Sequence, residues 1–85
     1  MAVRLLYFAW VRERTGISNE TVELPAGLST VADLMGWLKN RGPNFAAAFE
    51  RMDVIRTAVN QTHVPHSTNL IGAREIAFFP PVTGG

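Results

Sequence analysis

Eighty-five residues, 47% hydrophobic and 18% charged, with 8 Lys+Arg against 7 Asp+Glu and a formal net charge of +1, describe one globular domain with a single modest core. The basic residues are dispersed, which excludes nucleic acid as a partner, and no apolar run approaches the roughly 20 residues that a membrane span requires. Without cysteine there is no disulfide framework and no thiolate chemistry, and Met1-Ala2-Val3-Arg4-Leu5 lacks the features of a signal peptide, so the expected location is the cytoplasm.

Val3 to Ala9 reads as a strand, with Val3, Leu5 and Tyr7 on one face and Arg4, Leu6 and Phe8 on the other. The first face is core; the second sets a charge beside large apolar groups, as suits a surface that a partner covers. Val11 to Thr15 is a polar turn or short helix ended by Gly16. Asn19 to Leu24 alternates again and stops at Pro25-Ala26-Gly27, so it returns beside the first strand as a hairpin with a long connection. Ser29 or Thr30 caps a helix with Asp33 in its first turn and Val31, Leu34, Met35 and Leu38 at helical spacing, ended by Gly42-Pro43. A shorter helical piece covers Asn44 to Met52, with Phe45, Phe49 and Met52 on one stripe. Arg56 to Val59 and Thr62 to Val64 are short strands around a turn at Asn60-Gln61, closed by Pro65. Glu75 to Phe79 is the last strand.

This order describes an α+β domain whose mixed sheet is covered on one face by a helix, with a second short helix. Parallel pairing of the first and last strands would set Leu6 and Phe8 beside Ala77 and Phe79, with Ile76 and Phe78 facing the core.

The most informative segment is Phe78-Phe79-Pro80-Pro81-Val82-Thr83-Gly84-Gly85. The prolines stop the strand and hold the chain extended, and two glycines without Cβ atoms form a probe narrow enough for a slot. The expected division is a domain over residues 1–80 and a flexible Gly-Gly tail over 81–85, with the α-carboxylate of Gly85 as reacting group. That carboxylate is a poor electrophile until something activates it.

Phe8-Ala9, Val11-Arg12-Glu13, Gly16, Ala58-Val59-Asn60-Gln61 and the run from Ala77 to Gly85 resemble the small subunit of molybdopterin synthase, a sulfur carrier of the ubiquitin-like β-grasp fold. The likeness spans nearly the whole chain, and the tail is its most specific part. Gly-Gly alone is shared with sulfur carriers for thiamine or tRNA thiolation and with ubiquitin-like protein modifiers, which stand as the alternatives.

The resemblance implies that a ubiquitin-activating-like adenylyltransferase uses ATP to adenylate Gly85, and that a sulfurtransferase supplies sulfur to form a thiocarboxylate. The tail then enters the large synthase subunit and donates sulfur to cyclic pyranopterin monophosphate in molybdenum cofactor biosynthesis. The chain is thus part of an enzyme only as its sulfur-donor subunit, two copies serving a large-subunit dimer in a heterotetramer. Gly84 and Gly85 carry the chemistry; Phe8, Arg12, His63, Phe79, Pro80, Pro81, Val82 and Thr83 are implied to meet the partners. The chain itself is expected to bind no cofactor and no metal. Two departures stand out: His63 occupies a position that is commonly aliphatic in the family, and Gly72-Ala73-Arg74-Glu75 replaces an Asp-Gly-Asp-Glu turn, reversing a charge.

Other signals are weak. His63 and His66 lack the carboxylate or cysteine neighbours of a metal site. Asn60-Gln61-Thr62 matches a glycosylation acceptor but supports only a surface turn. Trp10 and Trp37 read as packing residues, and no Gly-rich loop precedes a helix to bind nucleotide.

Overall fold

The computed structural model describes residues 2–81. Five strands form one sheet: β1 (Ala2–Tyr7), β2 (Asn19–Glu23), β3 (Arg56–Val59), β4 (Thr62–Val64) and β5 (Glu75–Phe79). Their order is β2-β1-β5-β3-β4. The central pair β1 and β5 is parallel, with Leu5 opposite Ile76 and Tyr7 opposite Phe78, and the other pairs are antiparallel. This is the mixed β-grasp sheet that the sequence predicts, with the first and last strands side by side.

Three α-helices are described: α1 (Ala9–Thr15), which decides for a short helix where the sequence allows a turn or a helix, then α2 (Val31–Lys39) and α3 (Pro43–Ala48), the principal and second helices, followed by a 3-10 turn at Met52–Val54. β1 ends at Tyr7, two residues earlier than expected, because Phe8 turns its carbonyl to the N–H groups of Val11 and Arg12 and so opens α1. Ala9 takes a φ of 52°, a left-handed conformation that is costly for a residue with a Cβ and that bends the chain out of the sheet. Gly16, at φ 85°, closes α1 with its N–H on the Arg12 carbonyl. Val11 is fully buried and Thr15 nearly so, so a segment whose sequence looks polar is a packed element.

α2 begins in a reciprocal cap: Thr30 accepts from the Asp33 N–H while the Asp33 carboxylate accepts from the N–H groups of Ser29 and Thr30, satisfying donors that a helix start leaves orphaned. Gly42-Pro43 does not end α2. Asn40 caps it, and Pro43 is the first residue of α3, a position where its missing N–H costs nothing. α3 is shorter than the predicted Asn44 to Met52 piece, Phe49 being its cap. The ten-residue connection from Pro65 to Arg74 is tied to α2, whose free Val31 and Ala32 N–H groups donate to the carbonyls of Thr68 and His66. His66 Nε2 lies 2.7 Å from the Ile55 carbonyl; a carbonyl only accepts, so this nitrogen carries the proton.

The core lies between the helices and one sheet face, with Val3, Leu5, Tyr7, Leu34, Met35, Leu38, Phe49, Ile55, Ile76 and Phe78 essentially excluded from solvent. Tyr7 is at its centre. Its ring stacks on Phe78 at 6.0 Å and meets Phe45 and Phe49 edge-on. Its hydroxyl donates to Glu20 at 2.8 Å, and Arg41 grips the same carboxylate through both terminal nitrogens at 2.7 and 3.0 Å. The Arg41 guanidinium also covers Phe45 and Trp37, which packs against the core as the sequence suggests, and Trp10 carries Arg14 over its ring. Burial pushes the Tyr7 hydroxyl far up, and the Glu20 charge adds to that. Burial also raises the Glu20 carboxyl, but the bonds from Arg41 and Tyr7 outweigh it and hold the group below the usual carboxylate range.

A carboxyl whose folded pKa is depressed stabilises the fold above its unfolded value of about 4.3 and loses that contribution as pH falls through the folded value. The urea midpoint should therefore drop as the pH falls below about 5, and Glu20→Gln should flatten that acid limb. Tyr7→Phe, which removes one hydrogen bond and keeps the ring, should cost about 1 kcal/mol in urea unfolding at neutral pH.

Candidate functional site

The sheet face turned away from the helices is built by strand alternation. Arg4 and Leu6 of β1 lie beside Glu75 and Ala77 of β5, and Phe79 follows beside Arg56 of β3. Phe8 continues the β1 alternation in extended conformation, its N–H bonded to the Phe78 carbonyl at 3.1 Å, and its side chain is 48% exposed. Phe78 is 0% exposed and its neighbour Phe79 half-buried. Adjacent strand residues face opposite layers, so one phenylalanine anchors the core and the next presents its ring outward.

His63 of β4 lies against Phe79, with ring centroids 4.9 Å apart at 46°. The two rings, with Arg56, Thr57, Val64, Pro65 and Pro81, line a groove of about 480 Å³. Ala58, opposite Ala77 and His63 in register, is a small residue on the same face and only 9% exposed. The outcome is an apolar strip across three strands with cations at its margins, placed where the chain leaves β5 through Pro80 and Pro81.

Of the residues singled out in sequence, the structure brings His63, Phe79 and Pro81 into one groove and sets Phe8 just past the end of β1, the strand beside β5. Arg12 is exposed one helical turn past Phe8, outside that groove. Pro80 is half-buried beside Pro81. Val82, Thr83, Gly84 and Gly85 lie outside the described residues. Arg56, Thr57, Val64 and Pro65 were not legible as site residues, because their role depends on the β3–β5 and β3–β4 registers; the strand pattern places the strands but not their partners. The two histidines point to different tasks, His63 to Phe79 and His66 to the Ile55 carbonyl.

An ordered domain presenting an aromatic face at the root of a Gly-Gly tail defines the ubiquitin-like carrier class. The ThiS family pattern matches residues 5–85. The molybdopterin synthase sulfur carrier subunit of Escherichia coli is 39% identical over 83 residues, spanning 98% of this chain and 99% of its own. That of Haemophilus influenzae is 35% identical, with 98% and 99% covered, and the human protein of the same name is 33% identical, with 98% and 93% covered. Among solved structures, a putative molybdopterin converting factor subunit 1 from Pyrococcus furiosus superimposes with a TM-score of 0.74 at 30% identity, over 96% of this chain and 99% of that one. SAMP1 from Haloferax volcanii superimposes with a TM-score of 0.71 over all of both chains at 24% identity, a likeness of fold alone. The chain belongs to the ThiS family, in its group of molybdopterin synthase sulfur carrier subunits.

The partition of the two phenylalanines is directly measurable. Phe78→Ala should cost about 3–5 kcal/mol of stability, whereas Phe8→Ala should stay within about 0.5 kcal/mol and Phe79→Ala within about 1 kcal/mol, read from thermal or urea unfolding. A Phe79 variant as unstable as the Phe78 variant would place both rings in the core.

Proposed function

We propose that this chain is the sulfur-carrying subunit of a molybdopterin synthase, working with a large catalytic subunit in the cytoplasm, and that the α-carboxylate of Gly85 is its reacting group. The observation that carries this reading is the outward aromatic strip of Phe8 and Phe79 at the root of the Gly-Gly tail, in a chain whose relatives bear that name.

An adenylyltransferase joins the carboxylate to the α-phosphorus of ATP, releasing pyrophosphate, and so gives the acyl carbon a good leaving group. Persulfide sulfur on a donor loaded by a sulfurtransferase displaces AMP to give an acyl disulfide, and a thiol cleaves its S–S bond, forming a disulfide with the donor and releasing the thiocarboxylate, the nucleophile that attacks cyclic pyranopterin monophosphate. Dividing one hard transfer into activated steps is the logic of covalent catalysis. This chain contributes docking, reach and the reacting terminus, while acids, bases and phosphate ligands belong to its partners. Phe8, Phe79 and the half-buried Pro80 and Pro81 seat the domain, so that Val82 and Thr83 carry Gly84-Gly85 into a slot. Two such subunits at opposite ends of a large-subunit dimer complete a heterotetramer.

Intact mass of the protein from its own host should show oxygen replaced by sulfur at Gly85; isopeptide-linked adducts on many proteins would instead indicate a modifier. Deleting Gly85 or adding one residue after it should abolish sulfur transfer and spare the fold. One residue moves the reacting carbon by about 3.3–3.6 Å, and a displacement of about 1 Å already costs roughly 100-fold in rate. Gly84→Val should block the slot in the same assay. Phe8→Ala and Phe79→Ala should each weaken binding of the large subunit by about 2–4 kcal/mol. Wild-type product formation by an untrimmed, extended chain would remove the terminal carboxylate from the mechanism.

A further inference from the structure

At the other end of the same sheet face, Arg4, Asn60, Gln61, Arg74 and Glu75 line an open depression of about 390 Å³. The backbone beneath it is pinned. The Arg4 N–H donates to the Arg74 carbonyl at 2.9 Å, Asn60 Oδ1 accepts from the N–H groups of Arg74 and Glu75 at 2.9 and 3.1 Å, and Asn60 Nδ2 donates to the Gly72 carbonyl at 3.1 Å. Asn60 holds the turn at φ 49°, and both polar atoms of its side chain bond to main chain. The two arginines are exposed. Among the described residues the ion pairs are Arg41 with Glu20 and Arg51 with Asp53; Arg4 and Arg74 take part in neither, and Glu75 pairs with neither of them. Two guanidinium groups thus share a pocket with one carboxylate.

Arg4, Leu6 and Phe8 form one row of this face, and Glu75, Ala77 and Phe79 the next. At about 3.3 Å per residue, Arg4 lies about 13 Å from Phe8. An interface of ordinary size takes about 800 Å² from each partner, a disc about 16 Å in radius. A partner centred on the aromatic strip therefore reaches the arginines, and any guanidinium that it removes from water needs an acceptor.

We infer that Arg4 and Arg74 form a specificity contact at the far end of the docking face, receiving carboxylate side chains of the large synthase subunit matched to this chain. The inference rests on the function proposed above. Arginine's planar fork suits bidentate recognition of carboxylates, and two isolated cations on a chain of net charge +1 fit acidic side chains on a protein surface rather than a phosphate backbone. The aromatic strip supplies most of the affinity, and the arginines select the partner and set its register.

The test is calorimetric binding of the full chain to the large subunit of the same organism, at about 50 and about 300 mM salt, because exposed charge pairs are screened over that range. The doubly reversed variant Arg4→Glu/Arg74→Glu should bind at least about ten-fold more weakly at low salt and with a flatter salt dependence than wild type. Phe79→Ala should weaken binding at both salts while keeping the wild-type slope. Arg4→Gln/Arg74→Gln, which keeps the shape of the surface, should show the same change in slope at smaller size, and serves if the reversed variant fails to fold. Double variants that bind within about two-fold of wild type with unchanged salt dependence would overturn the inference and leave the proposed function standing on Phe79. Failure of the wild-type chain to bind the large subunit would overturn both.

Discussion

The parallel pairing of β1 with β5 is the constraint on which the rest of this molecule depends. It places the strand nearest the amino terminus against the strand nearest the tail, with Tyr7 opposite Phe78 and Leu5 opposite Ile76. Parallel neighbours cannot be joined by a tight turn. Everything between them, the hairpin with β2, the three helices and the β3–β4 hairpin, is therefore crossover and cover. Because the pair sits in the middle of the sheet, the same register fills the core on one side and lays Leu6 beside Ala77 on the other.

The two aromatic groups of the protein follow from that pairing and have opposite roles. Inside, Tyr7, Phe45, Phe49 and Phe78 meet at centroid distances of 5.3 to 6.5 Å in stacked and edge-on contacts. The one polar atom among them, the Tyr7 hydroxyl, reaches Glu20 and through it Arg41, tying β2 to the segment that joins α2 and α3. Outside, Phe8 and Phe79 have no such enclosure. The strained φ of Ala9 belongs to this contrast: it turns the chain immediately after Phe8, so the ring stays on the sheet face while the chain leaves to form α1.

Much of this was legible in the sequence because alternation and punctuation are local. Val3, Leu5 and Tyr7 against Leu6 and Phe8, Phe78 against Phe79, a helix start at Ser29 or Thr30 with Asp33 in the first turn, and the Asn60-Gln61 turn were all readable from neighbouring residues. Gly42-Pro43 misled because the same dipeptide can finish one helix or start the next; Pro43 at the first position of α3 decides for the second, which depends on how closely α2 and α3 pack. α1 looked polar because its exposed Arg12, Glu13 and Arg14 outnumber the buried Val11 and Thr15. The groove around His63 and the depression around Arg74 depend on register between strands distant in sequence, and a single chain's pattern does not encode register visibly.

The long separation of β1 and β5 has a consequence for biosynthesis. Residues 2–7 cannot complete their sheet until residues 75–79 have been made, since β5 lies between β1 and β3. A growing chain can form the β1–β2 hairpin and sample its helices, but its central strand is missing, and contacts of such large sequence separation are the slowest to close. The outward aromatic strip does not exist before then, because Phe79 belongs to the strand that arrives last. The strip is therefore a mark of the finished fold, absent from any partly made chain that still lacks β5.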